Sequence, residues 1–358
     1  MEMDKYIGID THRSTLVVNV RDGFGKVILE STVPTKADAI RECIGGLRGR
    51  LHVTFEEGTH AQWLYDVLRG RVSELLVCDP RENRLMKDGS KGDCIDAGKL
   101  SHLLRMGAVK AVYHDQHGTG TLKELVRSYD ALVEDSVRVM NRIKAIYRAR
   151  AIPTTGKSVY SSDGRQSFLG QLGEPGAAKR AECLYQQLDT LLELRRKAEK
   201  SMVTEGRRHP AYRLLRSIPQ LGPVRSARLI AIVDTPHRFP NKSAFWNYCG
   251  FAVVTWNSAE RQFVNGKLVR STKAVATRGL NKDHNPRMKE LFKSVANKAR
   301  GRGPFKEYFE GLVAGGMKPE LATITLARKI SATTLAVWKK GEAFDPKKLK
   351  TTKPLTEE

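Results

Sequence analysis

Four acidic residues stand where carboxylates can do chemistry. Asp10 closes the β-rich run 6–10, and Glu56 closes a second run, 51–56. Asp93 and Asp96 lie three apart where a helical pattern, 96–106, begins. Side chains three apart on a helix share a face, with Cβ atoms about 5–6 Å apart. Hard divalent cations take oxygen ligands, and two-metal phosphoryl-transfer sites hold their ions about 3.5–4 Å apart. Acids at the ends of adjacent central strands, joined by an acidic pair at a helix start, make a candidate Mg²⁺ or Mn²⁺ site. Taken singly, each also has a plainer reading, with Asp10 opening a turn and Asp93 capping a helix.

The elements that must position these acids are legible in the hydropathy pattern. Residues 6–10, 16–20 and 27–29 are short β-rich runs, and Asp22-Gly23 and Gly25 punctuate them as hairpin connections require. A helix over 37–47, a strand over 51–56, a helix over 62–68 and a strand over 74–78 follow. The order β-β-β-α-β-α-β is an antiparallel meander that switches to helix-linked, parallel strands. From Leu122 the period changes: Leu122, Leu125, Tyr129, Leu132, Val139, Ile143 and Ile146 keep 3-4 spacing, broken once by Ser136. A Gly/Ser-rich loop over 154–176 precedes a second helix carrying Leu184, Leu188, Leu191, Ala198 and Met202. The two form an antiparallel hairpin or part of a compact bundle. Further on, helices are expected over 225–233, 287–300, 305–314 and 320–339, with strand and loop over 251–269 and a disordered tail from 345.

Charge narrows the function. The chain has 358 residues, 62 Lys+Arg against 39 Asp+Glu, and a net charge of +23, which points to a polyanionic partner, most simply nucleic acid. Hydrophobic content of 40% excludes a wholly disordered basic protein. Five scattered cysteines without a C-x-x-C pair exclude a zinc ribbon or disulfide scaffold and fit a reducing, cytoplasmic setting. No run approaches the roughly 18 apolar residues of a membrane helix, and the start has no signal-peptide pattern, so no membrane association is expected. Arg142, Lys144, Arg148 and Arg150 end the first long helix. Arg195, Arg196 and Lys197 fall in the second, and Arg207, Arg208, Arg213 and Arg216 come soon after it. Such clusters neutralise phosphates or simply form solvated faces. In Ile218-Pro219-Gln220-Leu221-Gly222-Pro223-Val224-Arg225, a tight turn leads straight into a helix, as in a helix-hairpin-helix that aims backbone N–H groups at phosphate. A plain structural corner reads the same way. Trp246, Tyr248 and Trp256 are either base-stacking platforms or core.

Three blocks also carry a resemblance. Y-I-G-I-D at 6–10, F-E-E-G at 55–58 and K-G-D-C-I-D-A-G-K-L at 91–100 resemble the RuvC-like domain of DEDD transposases of the insertion-sequence 110 family, which has the Piv-type DNA invertases as relatives. The resemblance implies an acidic metal-binding tetrad of Asp10, Glu56, Asp93 and Asp96. Glu57 competes with Glu56, and strand alternation from Val53 and Phe55 favours Glu56. The segment 218–224 is similar to the I-P-G-I-G-type segment that opens the family's C-terminal domain. The family's nucleophilic serine, counted from Gly250, falls on Ser258, although Ala259 replaces the usual Gly; Thr255 and Ser271 are the fallbacks.

The fold expected on this resemblance is an α/β RNase H-like (RuvC-like) domain over 1–117, a helical hairpin or coiled coil over 118–208, and a mainly α C-terminal domain over 209–344. The last contains the helix-hairpin-helix-like element and the serine, and the tail covers 345–358. The implied function is DNA recombination: Mg²⁺-dependent attack of serine on a phosphate of donor and target DNA, in a homodimer or tetramer. A noncoding guide RNA from the element is an implied partner, in a prokaryotic, nucleoid-associated setting. Arg142, Lys144, Arg148, Arg213, Gly222 and Arg225 are the expected nucleic-acid contacts. The competing readings are a RuvC-like junction endonuclease, a site-specific DNA invertase and a noncatalytic nucleic-acid-binding protein.

Overall fold

The computed structural model describes residues 3–80, 92–114, 118–256, 261–264, 267–270 and 276–349. The chain divides into two compact units, Met1–Gln116 and His117–Glu358.

The first unit is built on a six-stranded sheet. Strands β1 (Asp4–Thr11), β2 (Thr15–Asp22), β3 (Val27–Pro34), β4 (Arg50–Glu56), β5 (Glu74–Cys78) and β6 (Ala111–Val112) lie in the order β3-β2-β1-β4-β5-β6. β1, β2 and β3 form the expected antiparallel meander, β4 and β5 add in parallel, and β6 is antiparallel. This mixed α/β sheet is consistent with an RNase H-like fold.

Alternation gives the sheet two unlike faces. Ile7, Ile9, Val18, Val20, Val53 and Phe55 join one apolar core with residues of α1 (Ala37–Gly45) and α2 (Ala61–Leu68). The other face is crossed by α3 (Asp93–Arg105). That helix comes so close to β1 that a Cβ on Gly8 would sit 2.2 Å from the Ala97 carbonyl oxygen and 2.4 Å from the Ser101 nitrogen. Only glycine permits that approach. A buried polar network anchors the same helix: Ser101 Oγ donates to Asn19 Oδ1 (2.7 Å), Arg21 Nε donates to Ser101 Oγ (3.0 Å), and Asn19 Nδ2 donates to Glu30 (3.1 Å).

In the second unit, α4 (Gly120–Arg148) and α6 (Pro175–Gly206) run as an antiparallel hairpin. Ser136, which breaks the apolar spacing, is buried and donates to the Leu132 carbonyl one turn back. One half of the hairpin has its own core of Val139, Ile143, Tyr147, Ala181, Tyr185 and Leu188. The segment expected as loop over 154–176 contributes Val159 and Leu172 to that core and contains a short helix, α5 (Ser162–Leu169), whose start is capped by Ser161. At the root, Leu122, Val126, Tyr129 and Met202 share a core with α7 (Ala211–Arg216), α8 (Pro223–Val233), α9 (Lys242–Tyr248), α10 (Pro286–Ala299), α11 (Phe305–Ala314) and α12 (Pro319–Lys340). Strand pairs β7 (Val253–Trp256) with β10 (Ala276–Leu280), and β8 (Arg261–Val264) with β9 (Lys267–Arg270), fill the region between α9 and α10 in sequence. Within the segment expected as a disordered tail from 345, residues 346–348 form a 3-10 turn and Leu349 packs on the core, while 350–358 lie outside the described residues. Among the described residues, no helix is long and apolar enough to cross a membrane.

Candidate active site

Asp10 lies two residues beyond Gly8, on the sheet face that α3 crosses. β4 pairs in parallel register with β1, Gly8 opposite Thr54 and Ile9 opposite Phe55, so Glu56 continues the Thr54 face next to Asp10. Glu57 goes another way. Its carboxylate meets His114 Nε2 at 2.5 Å, while His114 Nδ1 is 3.3 Å from Gln62 and its ring stacks on Tyr65.

The second acidic pair arrives on α3, which begins at Asp93, three residues earlier than its apolar pattern indicated. Gly92 is the N-cap, so Asp93 is not a capping residue; it and Asp96 form the acidic first turn. Acids are favoured there because they face the unsatisfied N–H groups of the helix start. Asp96 is near enough to Asp10 to push its carboxyl upward and lies 3.5 Å from Lys99 Nζ.

His12, which the sequence reading passed over, joins the two segments. Its Nε2 is 3.1 Å from Asp10 Oδ2 and 3.2 Å from Asp93 Oδ1. Asp10, His12 and Asp93 each offer a ligand atom, all within 4.8 Å of one another. The signal was its two-residue spacing from Asp10, just past the end of β1. The Asp10 side chain is 23% exposed. Burial is the main cause raising its carboxyl above the ordinary value, with Asp96 adding to the rise and His12 opposing it. Two carboxylates and an imidazole, drawn from a strand end and a distant helix start, suit a divalent cation by donor chemistry.

The other expected site residues lie in the second unit. Ser258 and Ser271 fall outside the described residues, and Thr255 is exposed on β7. Arg142 is exposed on α4, Lys144 lies over the Tyr160 ring and donates to the Gly156 carbonyl, and Arg148 donates to Thr154 Oγ1. Arg213 is exposed in the last turn of α7, and Gly222 is the N-cap of α8. Arg225, expected at phosphate, turns inward, with Nη1 donating to the Gln220 carbonyl and Nε to Ser294 Oγ. It braces a turn in which Gln220 takes φ 69°, a left-handed value uncommon for a side-chain-bearing residue. Nearby, Arg196, Lys200, Arg207 and Pro223 line a groove of about 470 Å³ between α6 and α8. Trp246 is a fold residue: its Nε1 donates to the Arg328 carbonyl, and the Arg328 guanidinium lies over its ring. Tyr248 is tied to Asn285.

Residues 7–149 match the family model of the IS110 DEDD transposase, described as a transposase, and residues 212–293 match that of the transposase IS116/IS110/IS902 family. No curated protein matches the chain. The first match spans β1, β4 and the start of α3, and the second runs from α7 into α10, in chain order. The protein belongs to the IS110 family of DEDD transposases, enzymes that cleave and rejoin DNA.

Proposed function

We propose that this transposase moves an insertion sequence by serine attack on DNA, using a metal site of Asp10, Glu56, Asp93 and Asp96 and the nucleophile Ser258, with donor and target DNA chosen by base pairing to a noncoding RNA. The observation that carries this reading is the meeting of Asp10 and Asp93 at one imidazole, although 83 residues of sequence separate them. Mg²⁺ or Mn²⁺ held by these acids supplies stabilisation of the charge that develops on the phosphate. Ser258 Oγ attacks phosphorus, the bond to the 3′ oxygen breaks, and a phosphoserine link conserves the bond energy until another strand's 3′-hydroxyl resolves it. Exposed Arg142 and Arg213 and the Arg196–Lys200–Arg207 groove hold phosphate backbones, in keeping with the +23 charge. A homodimer or tetramer and a cytoplasmic, nucleoid-associated setting complete the reading.

Incubating wild type with a labelled DNA site should give a protease-sensitive protein–DNA adduct that maps to Ser258 and is absent from Ser258→Ala. An adduct on Thr255 or Ser271 moves the nucleophile. Cleavage without an adduct means a hydrolytic junction endonuclease, and binding without cleavage under any divalent metal means a noncatalytic protein.

A further inference from the structure

We propose that His12 is itself a metal ligand through Nε2, making the site a mixed carboxylate–imidazole one that takes Mn²⁺ in preference to Mg²⁺. The inference rests on the acid-site reading above and adds a nitrogen donor to it. His12 is the first residue after β1, and its backbone is fixed at both ends: its N–H donates to the Thr15 carbonyl (2.9 Å), and its carbonyl accepts from Thr35 Oγ1 (3.2 Å). The imidazole therefore leaves a closed hairpin turn on the same side as Asp10. Its Nε2 stands between two carboxylates at 3.1 and 3.2 Å. Adjacent ligands of an octahedral ion with bonds of about 2.1–2.2 Å are about 3 Å apart. Nε2 thus already has the spacing of a neighbouring ligand from each carboxylate oxygen, and all three donor atoms lie within 4.8 Å of one another.

Two kinds of side chain would explain a histidine at this place. One is a cation that pairs with the acids and is displaced when the metal arrives; the other is a ligand that stays. The geometry favours the ligand, because one nitrogen faces both carboxylates at nearly equal distance and the turn that carries it is hydrogen-bonded shut. Its 42% side-chain exposure also leaves the group open to an ion arriving from solvent. The choice has a chemical consequence. Mg²⁺ keeps oxygen ligands and several waters, whereas imidazole suits transition-metal ions. Replacing an oxygen donor by His12 therefore shifts the site toward Mn²⁺.

The experiment uses the full chain with Mn²⁺ alone, without DNA. Pulsed electron paramagnetic resonance of the wild type should show nitrogen coupling from a directly bound imidazole. His12→Gln and His12→Ser should both lose that coupling and bind Mn²⁺ more weakly, on the order of tenfold or more, while Mg²⁺ binding changes less. Circular dichroism and thermal unfolding in chelator should be unchanged in both variants, which shows that they are folded. Mn²⁺ bound by wild type without nitrogen coupling, or bound by His12→Gln as tightly as by wild type, overturns the inference. Asp10→Asn separates the two levels of the argument. If it abolishes Mn²⁺ binding while wild type shows no coupling, the acid site stands and the histidine ligand falls. If it leaves Mn²⁺ binding intact, both fall.

Discussion

Asp10 and Asp130 are both carboxylates drawn away from water, and they are surrounded in opposite ways. The Asp130 side chain, on α4, is 6% exposed and lies 3.0 Å from Arg228 Nε and 3.3 Å from Arg287 Nη1. Burial is the main cause raising its carboxyl, against the pull of both arginines. Asp10 is also raised by burial, but among the described residues it is ion-paired only with His12, and Asp96, a further acid, adds to the rise. Asp130 has fixed cations supplied by the fold and joins two helices to the hairpin. Asp10 has no such arginine pair among the described residues and a further acid, Asp96, acting on it, an arrangement that favours a cation from solution. Burial alone does not distinguish a structural acid from a chemical one; the sign of the neighbours does.

The largest effect should come from removing charge at the unsaturated acid. Asp10→Asn is expected to lower strand cleavage by about a thousandfold or more, roughly 4 kcal/mol in the barrier. Its thermal unfolding in chelator should change little, because no Lys or Arg among the described residues is left stranded. Cleavage within tenfold of wild type would remove Asp10 from the site. Adding chelator to wild type should reproduce the loss, and adding Mg²⁺ or Mn²⁺ back should reverse it.

At the saturated acid the pattern should invert. Asp130→Ala strands two arginines, one of them only 16% exposed at its side chain, and breaking such a pair costs about 3–5 kcal/mol. The loss is read from denaturant midpoints. Mn²⁺ binding by the folded fraction should stay as in wild type, because Asp130 lies in the other unit. A stable Asp130→Ala, or one that loses the metal while folded, would break the comparison.

Backbone approach gives the next effect. Gly8→Ala places a Cβ against the Ala97 carbonyl, and overpacking of this kind costs about 1–3 kcal/mol. Because α3 must lift to make room, Asp93 and Asp96 move with it, and metal affinity should fall together with stability. Gly98→Ala on the same helix is the control. Its Cβ would have its nearest contact at 3.6 Å, so it should be neutral or stabilise by up to about 1 kcal/mol.

Much of this site can be read from residue order. The meander and its switch to parallel strands follow from three β-rich runs and two helix-linked ones, and alternation puts Asp10 and Glu56 on one face. The helix start was harder. Apolar spacing shows where a helix buries its face, and the first turn of α3 buries none, so the spacing places the helix start at Asp96 rather than at Asp93. His12 was missed because it follows the last apolar residue of β1, where turn and strand readings overlap, although its two-residue spacing from Asp10 was visible. The orientation of Arg225 is set by Gln220 and by Ser294, 69 residues further along, and nothing local to 218–225 announces that partner. The short α5 contains Gly164, and a weak helix former hides a short helix.

The smallest effect distinguishes the doublet Glu56-Glu57. Glu57 resembles Asp130 in kind, since a protein group already meets its carboxylate: His114, 6% exposed at its side chain, fixed further by Gln62 and stacked on Tyr65. Its own side chain is 45% exposed, and pairs of that exposure contribute about 0–1 kcal/mol. Glu57→Gln keeps an oxygen that can accept from His114, so it should lower stability by no more than about 1 kcal/mol and leave cleavage within a few fold of wild type. Glu56→Gln stays on the face shared with Asp10 and loses the charge there, so cleavage should collapse much as in Asp10→Asn. Measuring both rates beside both melting curves settles the order. If Glu57→Gln is the inactive variant, the face assignment at the end of β4 is inverted, and the histidine beside Glu57 belongs to the chemistry rather than to the fold.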